Sequence, residues 1–271
     1  MLKTLSKNCL IRWLGVIDVT KFLLYEMSWV EAKEYFAKND VAILPVGSTE
    51  QHGPQNPLGT DHLVARALAE EAAKQTGVLC LPVVPFGVSS HHRQFWGTTH
   101  VSPSVFRAYV REVCLSLKHH GVKKVVAVNG HGGNRSSLLE LARELREQGM
   151  FMSVFQWWEV AGKLLPDLFD SKERGHAGAE ETSMNLALHP RLVEMTKAVD
   201  EKVGCRFVES AGVSYGLDTV DYTVSGVFGV ATTASAEKGK KVFEASVGEL
   251  VKHIEYVKKL SAEDLLPKSC V

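Results

Sequence analysis

Residues 41–54 read Val-Ala-Ile-Leu-Pro-Val-Gly-Ser-Thr-Glu-Gln-His-Gly-Pro, and Thr60-Asp61-His62 follow shortly afterwards. The first six residues are apolar without a helical period, which is typical of a strand buried on both faces of a parallel sheet. Glu50 and His52 follow this strand, and their side chains point to the same side if the backbone is extended. Two prolines and a glycine then turn the chain, so that Asp61 can return toward them.

Carboxylate oxygens and imidazole nitrogens this close together suit a divalent transition ion such as zinc, manganese or iron. Glu50, His52 and Asp61 are therefore candidate metal ligands. The same stretch also fits a polar loop in which Asp61 caps the apolar-periodic helix that follows it. Spacing alone leaves both interpretations open, because short motifs also arise by chance.

Length and composition indicate an ordinary globular protein with one large α/β domain or two small ones: 271 residues, with 31 basic and 31 acidic residues. The zero formal net charge gives no indication of a nucleic-acid or anionic-membrane partner. The five cysteines are scattered and have no C-x-x-C spacing, as expected for reduced thiols in a cytoplasmic protein. We interpret residues 1–24 as an N-terminal extension, neither a signal peptide nor a membrane span, because Arg12 and Asp18 interrupt their apolar patches.

Strand-like and helix-like segments alternate along the rest of the chain. The predicted strands cover residues 41–46, 78–84, 123–129 and 150–156. The predicted helices cover residues 29–38, 62–75, 103–120, 134–148, 180–189 and 236–259. Residues 162–175 are polar and loop-like, residues 190–226 are irregular, and residues 226–230 fit one further short strand. This alternation predicts a mostly parallel sheet covered by helices on both faces, within one domain over residues 25–271.

Ligands of open α/β sheets bind beyond the carboxyl ends of the strands, and further unusual side chains follow two predicted strands. Residues 89–92 read Ser-Ser-His-His, and residues 130–133 read Gly-His-Gly-Gly. Glycines beside His131 allow the backbone to approach a ligand closely, and they lead into a helix N-terminus. Taken alone, the motif fits equally well a tight turn with an incidental histidine.

Residues 175–183 read Gly-His-Ala-Gly-Ala-Glu-Glu-Thr-Ser and lead into another predicted helix. His176 is a candidate for acid–base catalysis, and Glu181 offers one more carboxylate to a metal centre. Either residue also fits a role as surface decoration, the usual fate of a glutamate.

These motifs together resemble the creatininase family of metal-dependent amidohydrolases. The resemblance rests on residues 44–54, 59–61, 129–134, 176–178 and 181–183, with weaker matches at residues 87–98 and 234–239. It implies a three-layer α/β/α domain, two divalent metal ions per subunit (zinc, iron or manganese) and assembly into a homo-oligomer, either a dimer or a hexamer.

The resemblance also implies roles for individual residues. The positions that match the family's metal ligands are Glu50, His52, Asp61 and His131, with Glu181 as a further ligand. Asp61 stands at the place of the carboxylate that bridges both ions. His176 matches the histidine proposed to handle protons, so His176 and Glu181 are the catalytic candidates. The substrate-binding candidates are Ser89, Ser90, His92, Gly132, Gly133 and Trp158.

Departures from the family pattern bear on the substrate. Gly132 and Gly133 replace a tyrosine and a metal-binding glutamate of the creatinine-hydrolysing members, and Gly175 replaces another glutamate. Creatinine is therefore not the expected substrate. The His-Gly-Gly-Asn form is more similar to the branch that contains the formamidopyrimidine-nucleotide deformylase and the mycofactocin-maturing peptidase.

We therefore expect hydrolysis of a carbonyl–nitrogen bond in a small molecule, by a metal-activated water. A formamide, a cyclic amide and a formamidopyrimidine nucleotide are the candidate substrates. The alternatives are a peptidase of the mycofactocin-maturing type and a non-catalytic metal- or ligand-binding relative.

Other polar residues have open interpretations. Arg93, Arg135 and Lys172 are candidates to receive a phosphate if the substrate is nucleotide-like. His91 and His100 fit equally well a ligand pocket or its solvated rim. The histidines expected at the surface are His119, His120, His189 and His253.

Overall fold

A computed structural model of the chain describes residues 21–205, 207 and 212–267. Its central sheet has four parallel strands, β1 (Val41–Val46), β2 (Leu79–Cys80), β3 (Lys124–Asn129) and β4 (Phe151–Gln156). Their spatial order is β2-β1-β3-β4. Every residue of β1 and of β3 is buried, which explains why both strands are almost continuously apolar.

Helices pack on both faces of this sheet. The helices of the structure are α1 (Trp29–Phe36), α2 (Thr60–Thr76), α3 (Pro103–His119), α4 (Arg135–Glu147), α5 (Trp157–Leu164), α6 (Ala179–Leu188), α7 (Ala236–Lys259) and α8 (Ala262–Leu265). One hydrophobic core lies between the sheet and helices α2, α5, α6 and α7, and the other between the sheet and helices α1, α3 and α4. Alternate residues of β1, such as Ile43 and Leu44, enter opposite cores. The predicted mostly parallel sheet with helices on both faces is confirmed.

Several element boundaries differ from the predictions. The predicted strand over residues 78–84 is only Leu79–Cys80, with a single bridge from Val84 to Val46, because Pro82 cannot donate to the ladder. Helix α5 was not predicted: it follows β4 directly, without an intervening turn residue, and it takes up the start of the expected loop at residues 162–175. Helix α2 begins at Thr60, so Asp61 lies inside its first turn and not before it.

Two short strands, β5 (Asp200–Glu201) and β6 (Gly229–Val230), form an antiparallel pair outside the main sheet. The expected strand over residues 226–230 therefore shortens to its last two residues. Of residues 1–24, residues 1–20 lie outside the described part of the chain. The Phe22 carbonyl accepts a hydrogen bond from the Cys80 N–H (2.8 Å) and Leu23 is buried, so the described chain packs on the sheet edge from Phe22 onward.

Among the described residues, no helix has both the length and the apolar character needed to cross a bilayer. The described thiols of Cys80, Cys114 and Cys205 are free, and the first two are buried. Cys9 and Cys270 lie outside the described residues.

Close backbone contacts hold α2 and α6 in place. A Cβ atom at Gly47, just after β1, would lie 2.4 Å from the backbone nitrogen of His62, and one at Gly130, just after β3, would lie 2.1 Å from the carbonyl oxygen of Asp61. These glycines allow the first turn of α2 to pack against the carboxyl ends of both strands. Similarly, a Cβ atom at Gly239 of α7 would lie 1.8 Å from the carbonyl oxygen of Ser183 in α6.

We expect Gly130→Ala to destabilise the fold by about 1–3 kcal/mol, because its methyl group overlaps the Asp61 carbonyl and forces the backbone apart. The free energy of unfolding, measured by chemical denaturation, tests this. Gly248→Ala in α7 is the control, since a Cβ atom there meets nothing within 4 Å. It should be neutral or stabilising by up to about 1 kcal/mol. Equal stabilities of the two variants would contradict the packing account.

Candidate metal centre

The candidate ligands meet at the carboxyl ends of β1 and β3. Glu50 and His52 lie on the loop after β1, Asp61 in the first turn of α2, and His131 directly after β3. The Nδ1 atom of His131 lies 3.1 Å from Glu50 Oε1 and 3.0 Å from Asp61 Oδ2. The Nε2 atom of His52 lies 3.0 Å from Asp61 Oδ1 and 3.6 Å from Glu181 Oε2. The two oxygens of Asp61 therefore face two different imidazoles.

Backbone contacts orient both imidazoles toward this centre. The Nε2–H of His131 donates to the Val88 carbonyl (3.0 Å), and the Nδ1–H of His52 donates to the Glu50 carbonyl (3.1 Å). The opposite ring nitrogens, His131 Nδ1 and His52 Nε2, then face the carboxylates. Hydrogen bonds of this kind to the remote nitrogen are common in metal-ligating histidines, where they fix the tautomer.

Four buried atoms at the centre make no hydrogen bond: Glu50 Oε1, Glu50 Oε2, His52 Nε2 and Asp61 Oδ2. Buried polar atoms without partners are costly, so their grouping at the carboxyl ends of β1 and β3 calls for further groups that pair with them. Divalent cations with oxygen and nitrogen ligands would satisfy them. The residues present therefore fit a metal ion.

The electrostatics of the cluster agree with this. Burial acts to lower the pKa of His52, but Asp61 and Glu181 raise it to about 10. Burial raises the pKa of Glu181 to about 7, although the neighbouring His52 acts to lower it. Buried carboxylates thus draw positive charge into the space between them, from protons or from cations.

His176, the predicted proton-handling residue, lies at the edge of the cluster. Its Nε2–H donates to the Gln51 carbonyl (2.8 Å), and its Nδ1 lies 3.9 Å from Glu50 Oε1. Its ring packs 4.4 Å from the His52 ring and 4.3 Å from the His92 ring, measured between centroids. Burial lowers the pKa of His176 to about 3, so the ring is neutral at pH 7.

Gln51 fixes the neighbouring His92. Its side-chain oxygen accepts from the Gly53 N–H (2.9 Å) and its Nε2 donates to the Gly226 carbonyl (3.2 Å), which defines the orientation of the amide. The same Nε2 lies 2.9 Å from His92 Nδ1, so this ring nitrogen must accept. The His92 proton then lies on Nε2, which is 3.4 Å from Glu50 Oε1. His92 is therefore better placed as a donor to Glu50 than as a metal ligand.

Within the part of the chain that the structure describes, three sets of side chains bring potential ligand atoms within reach of one cation. These sets are Glu50/Asp61/His131, His52/His176/Glu181 and Glu50/His92/His176. All five predicted metal ligands occur in the first two sets. Gln51 and Thr219, whose hydroxyl oxygen lies 2.8 Å from His92 Nδ1, were missed. Gln51 could have been considered, because it stands between the candidate ligands Glu50 and His52. Thr219 lies in the irregular stretch of residues 190–226, where no sequence motif indicated a site.

A cavity of about 520 Å³ opens beside the centre. Four of the predicted substrate-binding residues line it: His92, Gly132, Gly133 and Trp158. Ser89 and Ser90 are not among its lining residues. The Ser89 hydroxyl instead accepts a hydrogen bond from Ser48 (2.8 Å), on the loop after β1. The Ser90 carbonyl accepts one from Arg93 (2.9 Å).

The other histidines differ in their exposure and in their distance from the cavity. His91 lines the cavity with its ring stacked on His131, 5.9 Å between centroids, whereas His100 is exposed. His119 and His120 lie at the surface as predicted. The surface prediction is wrong for His189 and His253, which are half-buried; the His253 ring hydrogen-bonds Ser153 (2.8 Å) because α7 packs across β4.

The three candidate phosphate-binding residues do not line the cavity. Arg93 donates to Asp218 (2.8 Å), Arg135 pairs with Glu159 (2.8 Å), and Lys172 lines a separate surface cavity. In contrast, Arg174 and Glu180 line the cavity although neither was a candidate.

Comparisons with known proteins agree with this geometry. A family model described as "Creatininase: Creatinine amidohydrolase" matches residues 25–254. The creatinine amidohydrolase of Pseudomonas putida is 30% identical over 241 residues, which cover 82% of this chain and 92% of that protein. A mycofactocin precursor peptide peptidase of Mycobacterium ulcerans is 31% identical over 221 residues, or 78% of this chain and 83% of the peptidase.

A shorter match is to the 2-amino-5-formylamino-6-ribosylaminopyrimidin-4(3H)-one 5'-monophosphate deformylase of Methanothermus fervidus, 29% identical over 170 residues, with 60% of this chain and 62% of the deformylase covered. Among solved structures, one described as "Creatininase Mn" superposes with a TM-score of 0.76 at 27% identity, covering 88% of this chain and 99% of the other. The chain therefore belongs to the creatininase family of metal-dependent amidohydrolases.

Proposed function

We propose that this protein hydrolyses the carbonyl–nitrogen bond of a small amide, a formamide or a cyclic amide, at a centre that holds two divalent ions. The observation that carries the proposal is the position of Asp61, whose two oxygens face His131 and His52 separately. Buried atoms of Glu50, His52 and Asp61 without hydrogen-bond partners lie on either side of it. A cavity of about 520 Å³ is within the range typical of small-molecule sites.

The proposed ligand sets are Glu50, Asp61 and His131 for one ion, and His52, Asp61 and Glu181 for the other. Zinc, iron and manganese all accept these oxygen and nitrogen donors. When bound, such ions supply Lewis acidity that polarises a carbonyl and lowers the pKa of a water molecule to about 7.

The residues of the chain have separate tasks in this reaction. His176 is held by its Nε2–H on the Gln51 carbonyl, so Nδ1 is free to accept a proton and pass it to the departing nitrogen. The His92 Nε2 lies 3.4 Å from Glu50 Oε1. Gly132 and Gly133 line the cavity without side chains, so their backbone can approach the substrate oxygen closely.

Peptide cleavage and a non-catalytic role are the alternatives. The peptidase relative of M. ulcerans keeps the first in consideration, whereas the complete set of candidate ligands argues against the second. Parallel assays on a formamide, a lactam and a short peptide distinguish the three functions. We expect turnover of the formamide or the lactam in excess of the peptide.

We also propose that the protein forms a homo-oligomer, a dimer or a hexamer. Trp96 and Val224 have 98% and 91% of their surface exposed, on the segments that follow His92 and Thr219 of the cavity wall. We propose that a second copy of the chain covers both side chains. Sedimentation equilibrium of the wild type and of Trp96→Ser tests this, and a monomeric wild type would contradict it.

Asp61→Asn and His52→Ala should each abolish activity and lower the bound metal, while the fold remains intact. Each change removes a group that would bind the metal, and neither adds atoms to the surrounding core. Metal analysis, circular dichroism and an amide assay provide the measurements. Asp167→Asn, an exposed aspartate, is the matched control and should behave as wild type. Near-normal turnover in Asp61→Asn would defeat the assignment.

His176→Gln should lower kcat by about 10²–10⁴-fold, the usual contribution of a positioned proton-transfer group. Metal content should stay at the wild-type value, because His176 is not among the five proposed ligands. Loss of metal together with activity would instead identify His176 as a ligand. His100→Gln serves as the control, because His100 is exposed and is not among the residues that line the cavity.

Chelation should lower the melting temperature, and manganese or zinc should restore it. A ligand that binds only the folded state stabilises it by about 2.7 kcal/mol at a hundred times its dissociation constant. Here the cation also separates buried carboxylates that otherwise face one another. Thermal unfolding with and without a chelator measures the effect, and an unchanged midpoint would count against a metal site.

A further inference from the structure

Glu180 is a buried carboxylate of the cavity wall that the proposed chemistry does not use. It is the second residue of α6, and only 3% of its surface is exposed. Its Oε1 accepts a hydrogen bond from Arg174 Nη1 (3.2 Å). No described residue hydrogen-bonds its other oxygen, Oε2, and Glu180 lines the cavity. One oxygen of this carboxylate is therefore held by the protein and the other is available to a ligand.

Arg174 lines the cavity and is anchored by backbone carbonyls. Its Nη2 donates to the carbonyls of Leu165 (2.9 Å) and Pro166 (3.1 Å), and its Nε donates to the carbonyl of Phe169 (3.2 Å). The guanidinium also lies over the Phe169 ring, 5.7 Å from its centroid. Because these contacts fix the planar guanidinium, Arg174 cannot turn toward an anion without giving up several hydrogen bonds. Its task is to hold Glu180.

The cavity wall around Glu180 combines polar and apolar residues, with Arg174, His176 and Glu181 among the polar ones. Trp158 and Phe228 line the same cavity and present apolar surface. In small-molecule sites, a few polar groups among apolar walls determine the orientation of the ligand. An acceptor oxygen held in this way favours a hydrogen-bond donor, and it disfavours an ionised carboxylate, which has no hydrogen to donate.

We propose that Glu180, held by Arg174, is a specificity-determining residue that binds an N–H-bearing cationic group of the substrate. The substrate class is an amide that also carries an amine, amidine or guanidine. This assignment rests on the proposed amidohydrolase function. It adds a prediction of the second functional group that the amide substrate carries. A site built to hydrogen-bond such a group rejects analogues that lack it, because its own polar atoms are then buried unpaired.

The test uses N-formyl alkylamines of matched chain length that end in a methyl, an ammonium or a carboxylate group. Several chain lengths are included so that one of them spans the distance to Glu180. For the manganese-loaded wild type, we expect kcat/KM for the ammonium compound to exceed that for the methyl compound by at least about tenfold. The carboxylate compound should be the poorest of the three. Equal values for ammonium and methyl, or a preference for carboxylate, would overturn the proposal.

Glu180→Gln keeps the size of the side chain but removes its charge, and it should reduce the ammonium-to-methyl ratio to within about twofold of unity. The ratio is internal to each variant, so a general loss of activity does not produce this result. Glu159→Gln is the matched control, because Glu159 also pairs with an arginine but lies half-exposed outside the cavity lining. It should keep the wild-type ratio. A wild-type ratio in Glu180→Gln would refute the assignment.

If Glu180→Gln does not fold, Glu180→Asp keeps the charge, withdraws the oxygen by one methylene and should lower the ratio by a smaller factor. An unchanged ratio in that folded variant would also refute the assignment. Calorimetric binding of the same compounds separates this proposal from the proposed activity. If none of the compounds is hydrolysed but the ammonium compound still binds more tightly, the amidase assignment fails and the role of Glu180 stands.

Discussion

Carboxylates buried together at the ends of two strands are the constraint on which the rest of the site depends. Glu50, Asp61 and Glu181 repel one another in a region from which water is largely removed, so positive charge must lie among them. The surrounding structure brings the carboxylates together and turns two imidazoles toward them. Two glycines allow the first turn of α2 to reach the strand ends, and backbone carbonyls turn His52 and His131 so that their free nitrogens face inward.

The sequence predicts those features of the fold and the site whose signals lie within a few neighbouring residues. Strand β1 and helix α7 were predicted with their bounds, because an uninterrupted apolar run and a serine cap are signals within a few residues. Helix α5 was missed because it follows β4 without a turn residue, and strand β2 is shorter than expected because of Pro82. The candidate ligands were found because each belongs to a compact motif. Thr219 and Arg174 were missed because only the tertiary fold brings them to the cavity.

The fold and the metal centre do not determine the substrate. The relatives that share this architecture carry names for different reactions, on creatinine, on a precursor peptide and on a formylamino-pyrimidine nucleotide. Selectivity among amides must therefore come from the walls of the cavity. In this chain those walls combine the glycines after His131, the two aromatic residues Trp158 and Phe228, and the Glu180–Arg174 pair.

The contact of α6 with α7 through Gly239 has an evolutionary consequence. The strand-end loops carry Glu50, His52 and His131, whereas Arg174, Glu180 and Glu181 belong to the segment that leads into α6 and is seated on α7. The proposed ligand Glu181 and the proposed proton carrier His176 thus lie within a few residues of the proposed specificity pair Arg174–Glu180. Inherited changes that move α6 on α7 would therefore be expected to alter metal binding and substrate choice together.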